Sequence, residues 1–263
     1  MIYDAQDYNT EEVYLSLGVV FIYEHCECTY LITNLHNVSG RHYRNGEILH
    51  SRGAIPNKVS LRLGKPNRFV KDRGIKRETI TWEEITIDLW DENKDPLWLE
   101  HPEHGNDVDV MALALPREEV EEYHCFPINR QDLDAVHPRI SEEAFILGYP
   151  LSIGEPSNLP VWKRATIATE PGGEVEDLPK VYLDTKTAKG MSGAPVVIQR
   201  RGVYGNPETD VVPGESWDFR RSFLGVYSGR LGEDPFEAQL GIAWKKEVIT
   251  KIIEGEVRGE PRV

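Results

Sequence analysis

The chain has 263 residues, long enough for one large or two modest domains with a core that needs no cross-links. Its 30 basic residues against 44 acidic ones leave a formal charge of −14, which repels phosphate backbones and anionic membranes and argues against nucleic acid as a partner. The three cysteines, Cys26, Cys28 and Cys125, are an odd number without zinc-finger spacing, so no disulfide framework is expected and a reducing compartment fits best.

In chain order, the acidic start MIYDAQDYNTEE lacks the basic opening and apolar core of a signal peptide, and LGVVFIY is too short to span a bilayer. A cytoplasmic protein is expected. Short runs rich in Val, Ile, Thr and aromatic residues then recur between turn residues: VYLSLGVVFIY, CTYLIT, KVSLRL, ETITWEEITIDLW, VDVMALAL, EAFILGY, VWKRATIAT, KVYLDTKT, APVVIQR, SFLGVYSG and QLGIAW. They predict an all-β fold. HCEC, residues 25–28, reads as a surface hairpin because no second ligand cluster completes a tetrahedral metal site. Loops are expected at SRGAIPNK and GKPNRFVKDRGIKRE. Helical patterns are confined to PREEVEEYH, opened by a proline suited to a first turn, and to the terminal KKEVITKIIEG. The acidic runs EEVEE and GEVED read as solvated faces. A charged stretch near residues 116 to 142 separates two β-rich halves.

Three stretches carry chemistry: YLITNLHNVSG around His36, NDVDVMALAL around Asp109 and KGMSGAP around Ser192. A serine hydroxyl is a poor nucleophile at neutral pH. It needs a base within hydrogen-bond reach, and that base needs a carboxylate to fix its tautomer. The glycines beside Ser192 leave the turn free of side chains, so the backbone N–H groups of Gly190 and Ser192 can converge as an oxyanion hole. Asp107 rivals Asp109, being two residues away on the same strand face; Asp109 is preferred because it opens the apolar run directly. The other seven histidines (His25, His42, His50, His101, His104, His124 and His137) sit mostly in polar surroundings and are assigned to the surface.

The order TNLH, DVMALAL, GMSGAP resembles the T-x-x-H, D-apolar run and G-x-S-G-x-P elements of the trypsin-like (chymotrypsin-fold) serine peptidase family, in the manner of an intracellular trypsin-like peptidase domain. FILGYP, FLGVYSGR and LGIAW followed by KKEVITKII resemble further strands and the C-terminal helix of that family, over about residues 13 to 254. An α/β-hydrolase is excluded by Ala194, where G-x-S-x-G needs a second glycine, and by the order of the three residues. The resemblance implies two packed antiparallel β-barrels and a short C-terminal helix: residues 1–125 a first barrel with His36 and Asp109, 126–142 a linker, 143–245 a second barrel with Ser192, and 246–263 a helix and tail. It implies a serine endopeptidase acting on a polypeptide substrate without metal or cofactor, off the membrane, with a protein regulator as a further partner.

By family position Lys186 stands at the base of the primary pocket, with Ser228, Gly229 and Arg230 as a wall, which weakly favours an acidic substrate side chain; extended substrate would lie along Tyr227–Gly229. The chain departs from the digestive enzymes in having Met191 before the serine and Asn34 and Leu35 before the histidine, and no zymogen activation by N-terminal cleavage is expected. Two alternatives remain: a partner-regulated or inactive binding module on a peptidase fold, and an esterase-like hydrolase using the same triad.

Overall fold

The computed structural model describes residues 2–4, 13–51, 53–72, 75–130, 133, 136–150, 159–187, 189–203, 217–231 and 239–260. The chain divides into two compact units, Met1–Pro127 together with Val248–Val263, and Ile128–Glu247.

The first unit contains strands β1 (Ile2–Asp4), β2 (Val13–Ser16), β3 (Phe21–His25) and β4 (Cys28–Thr33), then a short helix α1 (Leu35–Ser39), β5 (Lys58–Asp72), β6 (Ile75–Asp88), β7 (Met111–Leu115) and a one-turn helix α2 (Arg117–Val120). The long apolar run VYLSLGVVFIY is therefore broken, with residues 17–20 joining β2 to β3. HCEC forms the tight turn between β3 and β4: Cys26 and Glu27 take left-handed backbone angles, and His25 pairs with Cys28. The strands make a four-stranded sheet in the order β2-β1-β5-β6 and a three-stranded sheet β3-β4-β7. Among the described residues this unit thus has two sheets where the sequence suggested one closed barrel. Both sheets feed one core, in which Val59, Leu61 and Leu63 of β5 meet Ile22, Leu31, Met111 and Leu113. The every-second-residue spacing of those β5 side chains is what a strand with one buried face requires.

The expected loop GKPNRFVKDRGIKRE is instead mostly strand, since β5 and β6 pair from Lys58↔Asp88 out to Asp72↔Ile75; Arg73 and Gly74 lie outside the described residues. The polarity of this outer part of the hairpin misled because backbone pairing, not apolar content, defines these strands. Near the start of that outer part Lys65 pairs with Glu83 and Glu122, and the register shifts between Pro66 and Phe69, where proline has no N–H to give the ladder.

The second unit is a closed barrel of β8 (Glu143–Gly148), β9 (Val161–Ile167), β10 (Lys180–Asp184), β11 (Pro195–Val203), β12 (Trp217–Arg230) and β13 (Leu240–Lys245), in the order β10-β13-β12-β11-β8-β9. Alternation along β8 buries Ala144 and Ile146 inside it. Leu133 and Val136 of the presumed linker are held to β12: Phe223 N–H donates to Leu133 O, and the Ser222 hydroxyl donates to Val136 O while accepting Val136 N–H. Glu176, in the acidic run read as a solvated face, pairs at 2.5 Å with the fully buried Lys180 ammonium.

The C-terminal helix α3 (Glu247–Gly255) buries Val248, Ile249, Ile252 and Ile253 on one face. The segment after it lies against residues 98–100 of the first unit: Glu100 N–H donates to Val257 O and Gly259 N–H to Trp98 O, both at 2.9 Å. Among the described residues no helix is long and apolar enough to cross a membrane.

Candidate active site

The strand β4 ends at Thr33 and the chain turns at once into α1, which carries His36. The side chains of the T-N-L-H-N stretch make that junction. The Thr33 hydroxyl donates to Val19 O at 2.7 Å and accepts from Asn37 Nδ2 at 2.9 Å, while Leu35 is fully buried in the core. Gly40 closes the helix, its N–H donating to His36 O.

Asp109 arrives from the other side, two residues before β7, with its side chain fully buried and that of His36 18% exposed. One carboxylate oxygen, Oδ1, accepts the His36 backbone N–H at 2.9 Å, and the other, Oδ2, lies 2.7 Å from His36 Nδ1. A carboxylate only accepts, so Nδ1 carries the ring proton and Nε2 keeps its lone pair, the tautomer a general base needs. Asn34 donates from Nδ2 to Asp109 O at 2.7 Å, fixing the backbone behind the carboxylate. The unusual residue before the histidine therefore holds the acid. The rival Asp107 is exposed. Burial alone lowers the proton affinity of His36, but the charge of Asp109 and its hydrogen bond outweigh that and hold the imidazole above its ordinary 6.5.

Ser192 belongs to the second unit, in the turn between β10 and β11. Gly190 and Gly193 flank it with φ of 91° and 84°, conformations that cost a residue bearing a Cβ about 1 to 2 kcal/mol. Ala194 N–H closes the turn on Met191 O at 3.1 Å, and the Met191 side chain is buried. The turn is stitched to β12 by two bonds of 2.8 Å, Gly193 N–H to Tyr227 O and Tyr227 N–H to Ala194 O. The Tyr227 N–H and one lone pair of its carbonyl oxygen are thus engaged within the second unit. Ser228 is buried at a register shift in the β12–β13 ladder and Gly229 is half-buried, while Lys186 and Arg230 are exposed. Lys186 is therefore not the floor of an enclosed pocket. The Tyr227 side chain is buried, and burial pushes its phenol up to about 12, against smaller opposing effects of Thr187 and Arg230.

The sequence pattern places His101 on the surface, yet it is 1% exposed. His101, Glu103 and His104 bring one potential metal-ligating atom each within 4.8 Å of one another. The geometry disfavours an ion. His101 Nδ1 accepts the backbone N–H groups of Glu103 and His104, both at 3.2 Å, which leaves the ring proton on Nε2, an atom buried without a hydrogen-bond partner. Ligation through Nε2 would move that proton to Nδ1, against two amide donors.

No family model and no curated protein matches the chain. Among solved structures, the HtrA-type protease AlgW with a tripeptide is similar at 14% identity and a TM-score of 0.43, over 96% of this chain. The Drosophila Grass clip serine protease of the Toll pathway is similar at 12% identity and a TM-score of 0.44, over 97% of this chain. The chain spans 57% of the first and 68% of the second, and at these identities the likeness is one of fold alone.

Proposed function

We propose that the protein is a serine endopeptidase in which Ser192 is the nucleophile, His36 the general base and acid, and Asp109 the group that orients and charges the histidine. The observation that carries this reading is the double contact of a fully buried carboxylate with one histidine, to its backbone N–H at 2.9 Å and to Nδ1 at 2.7 Å. A structural ion pair needs only one of these. Two, with the proton held on Nδ1, aim a free Nε2 lone pair in a fixed direction.

In the proposed reaction Ser192 Oγ attacks the peptide carbonyl as its proton passes to His36 Nε2. The oxyanion is received by the backbone N–H groups of Gly190 and Ser192. The C–N bond then breaks, the amine leaves with the proton from His36, and an acyl-serine remains. Water adds to that ester by the same route in reverse, releasing the acid and restoring the serine. Asp109 stays ionised and stabilises the imidazolium in both halves. No step uses a metal or cofactor. Substrate backbone would lie along Tyr227–Gly229.

The test is a fluorophosphonate, from whose phosphorus an activated serine displaces fluoride. One adduct by intact mass is expected on the wild type, none on Ser192→Ala, and a strongly slowed reaction on His36→Ala. An unmodified wild type between pH 6 and 9 would refute the assignment and leave a binding module on this fold.

A further inference from the structure

An endopeptidase must seat the side chain next to the attacked carbonyl beside its nucleophile, so any inference about that pocket rests on the peptidase reading. By sequence position that side chain enters between the segment before Ser192 and the end of β12. Tyr227 is tied to the residues just after Ser192 by its two main-chain bonds to Gly193 and Ala194. Its ring turns inward and is 1% exposed. The hydroxyl shares a hydrogen bond of 2.5 Å with Oγ1 of Thr187, five residues before Ser192 and itself 8% exposed. On a third side stands Gly241 of β13, where an added Cβ would come within 2.6 Å of Tyr227 Cε2 and 3.1 Å of its oxygen. The ring thus fills the space bounded by the segment before Ser192, the turn after it and β13. Glycine at 241 is what makes room for it.

We infer that Tyr227 occupies the primary side-chain pocket of this peptidase, which therefore accepts only glycine, alanine or serine at the residue whose carbonyl Ser192 attacks. The ring is not a lid that a larger substrate would push aside. Swinging it out would strip the buried Thr187 hydroxyl of its partner and expose an aromatic face, while its backbone stays paired both with the Ser192 turn and with Ala243. Lys186 and Arg230, both exposed, then have no part in reading that residue, and the weak preference for an acidic side chain is withdrawn.

Diphenyl phosphonates of alanine and of phenylalanine, identical elsewhere, test this, because the serine displaces phenoxide only after the side chain has been seated. Intact mass gives the rate of each. The wild type is expected to react about 100-fold faster with the alanine compound, the discrimination a filled apolar pocket gives against a bulky side chain. Tyr227→Val should narrow that ratio at least about tenfold by accelerating the phenylalanine compound, while Tyr227→Phe, which keeps the ring, should preserve it. A wild type that takes phenylalanine as fast as alanine, or a folded Tyr227→Val with an unchanged ratio, overturns the inference. If Tyr227→Val does not fold, the wild-type ratio decides alone. The fluorophosphonate carries no amino-acid side chain, so its failure to label Ser192 refutes the peptidase reading, whereas labelling with the wrong phosphonate ratio refutes only the small pocket.

Discussion

Protonation of His101 should destabilise the first unit by an amount set by its surroundings. Burial, reinforced by His104 and Lys251 and opposed by Glu103, holds its pKa down at about 4 against an ordinary 6.5. An unfolded chain takes up this proton near pH 6.5 and the folded one only near 4. The unfolded state therefore binds more protons in between, and the contribution of the neutral ring, complete above pH 6.5, is lost as pH falls toward 4. At pH 4.5 the loss is about 2 to 3 kcal/mol. His36 works in the opposite sense. Its raised folded pKa gives a contribution complete below 6.5 that fades as pH rises through the folded value, so the two groups respond to pH in opposite directions. The perturbation to make is His101→Asn, whose side-chain oxygen can still accept the Glu103 and His104 amides without titrating. Urea unfolding monitored by tryptophan fluorescence at pH 7.5, 6.5, 5.5 and 4.5 would be compared between the two proteins. Carboxylates titrate in both, so the difference between the curves is the readout. It should grow by about 2 to 3 kcal/mol in favour of the variant from pH 7.5 to 4.5. Parallel curves would show that His101 is not held neutral and refute the reasoning.

Asp109→Asn should lower kcat/KM by about four orders of magnitude, because an amide can turn its NH₂ toward Nδ1 and leave the proton on Nε2; a loss under tenfold would contradict the proposed role. In the wild type, activity needs neutral His36 and should rise with pH through a midpoint above 6.5, measured as kcat/KM against pH on an alanine ester. Gly193→Ala, at φ 84°, should cost about 1 to 2 kcal/mol in urea and also slow fluorophosphonate labelling, since strain there bends the Ser192 turn. Arg200→Met removes the forked contact of 2.6 and 2.9 Å to Glu142, which is largely buried, and should cost about 2 kcal/mol by the same assay; no change would mark the pair as a solvated one.

What could be read in advance was whatever local pattern determines. An apolar run between turn residues announced β8, and polar residues beside apolar strands drew attention to His36 and Asp109, because strand ends are where a side chain can be both held and presented. Three features escaped for a shared reason. His101 looks like surface between Glu100 and Pro102, yet it turns inward because the amides of Glu103 and His104 need an acceptor. Asn34 looks like a departure from family pattern, and only the position of Asp109 shows why an amide stands there. Tyr227 reads as one more aromatic in a strand, and its meaning comes from Thr187, Gly193 and Gly241, all distant in sequence. The outer half of the β5–β6 hairpin escaped for the opposite reason: its two strands pair backbone to backbone, which local polarity does not announce.

The two units orient their proposed catalytic groups by separate means. In the first unit Thr33, Asn37 and Val19 set the helix that carries His36, and Asn34 and Asp109 set its ring. In the second unit Met191, Ala194 and Tyr227 close the Ser192 turn, and two glycines permit it. Each half is thus built by its own fold before any substrate is present, which is the condition for hydrogen bonds to act on a reacting group without reorganising first. The same residue, Tyr227, closes the nucleophile turn with its main chain and fills the pocket with its side chain. Positioning and selectivity are therefore separable by substitution only at the ring, because Tyr227→Val changes the pocket and leaves both main-chain bonds in place.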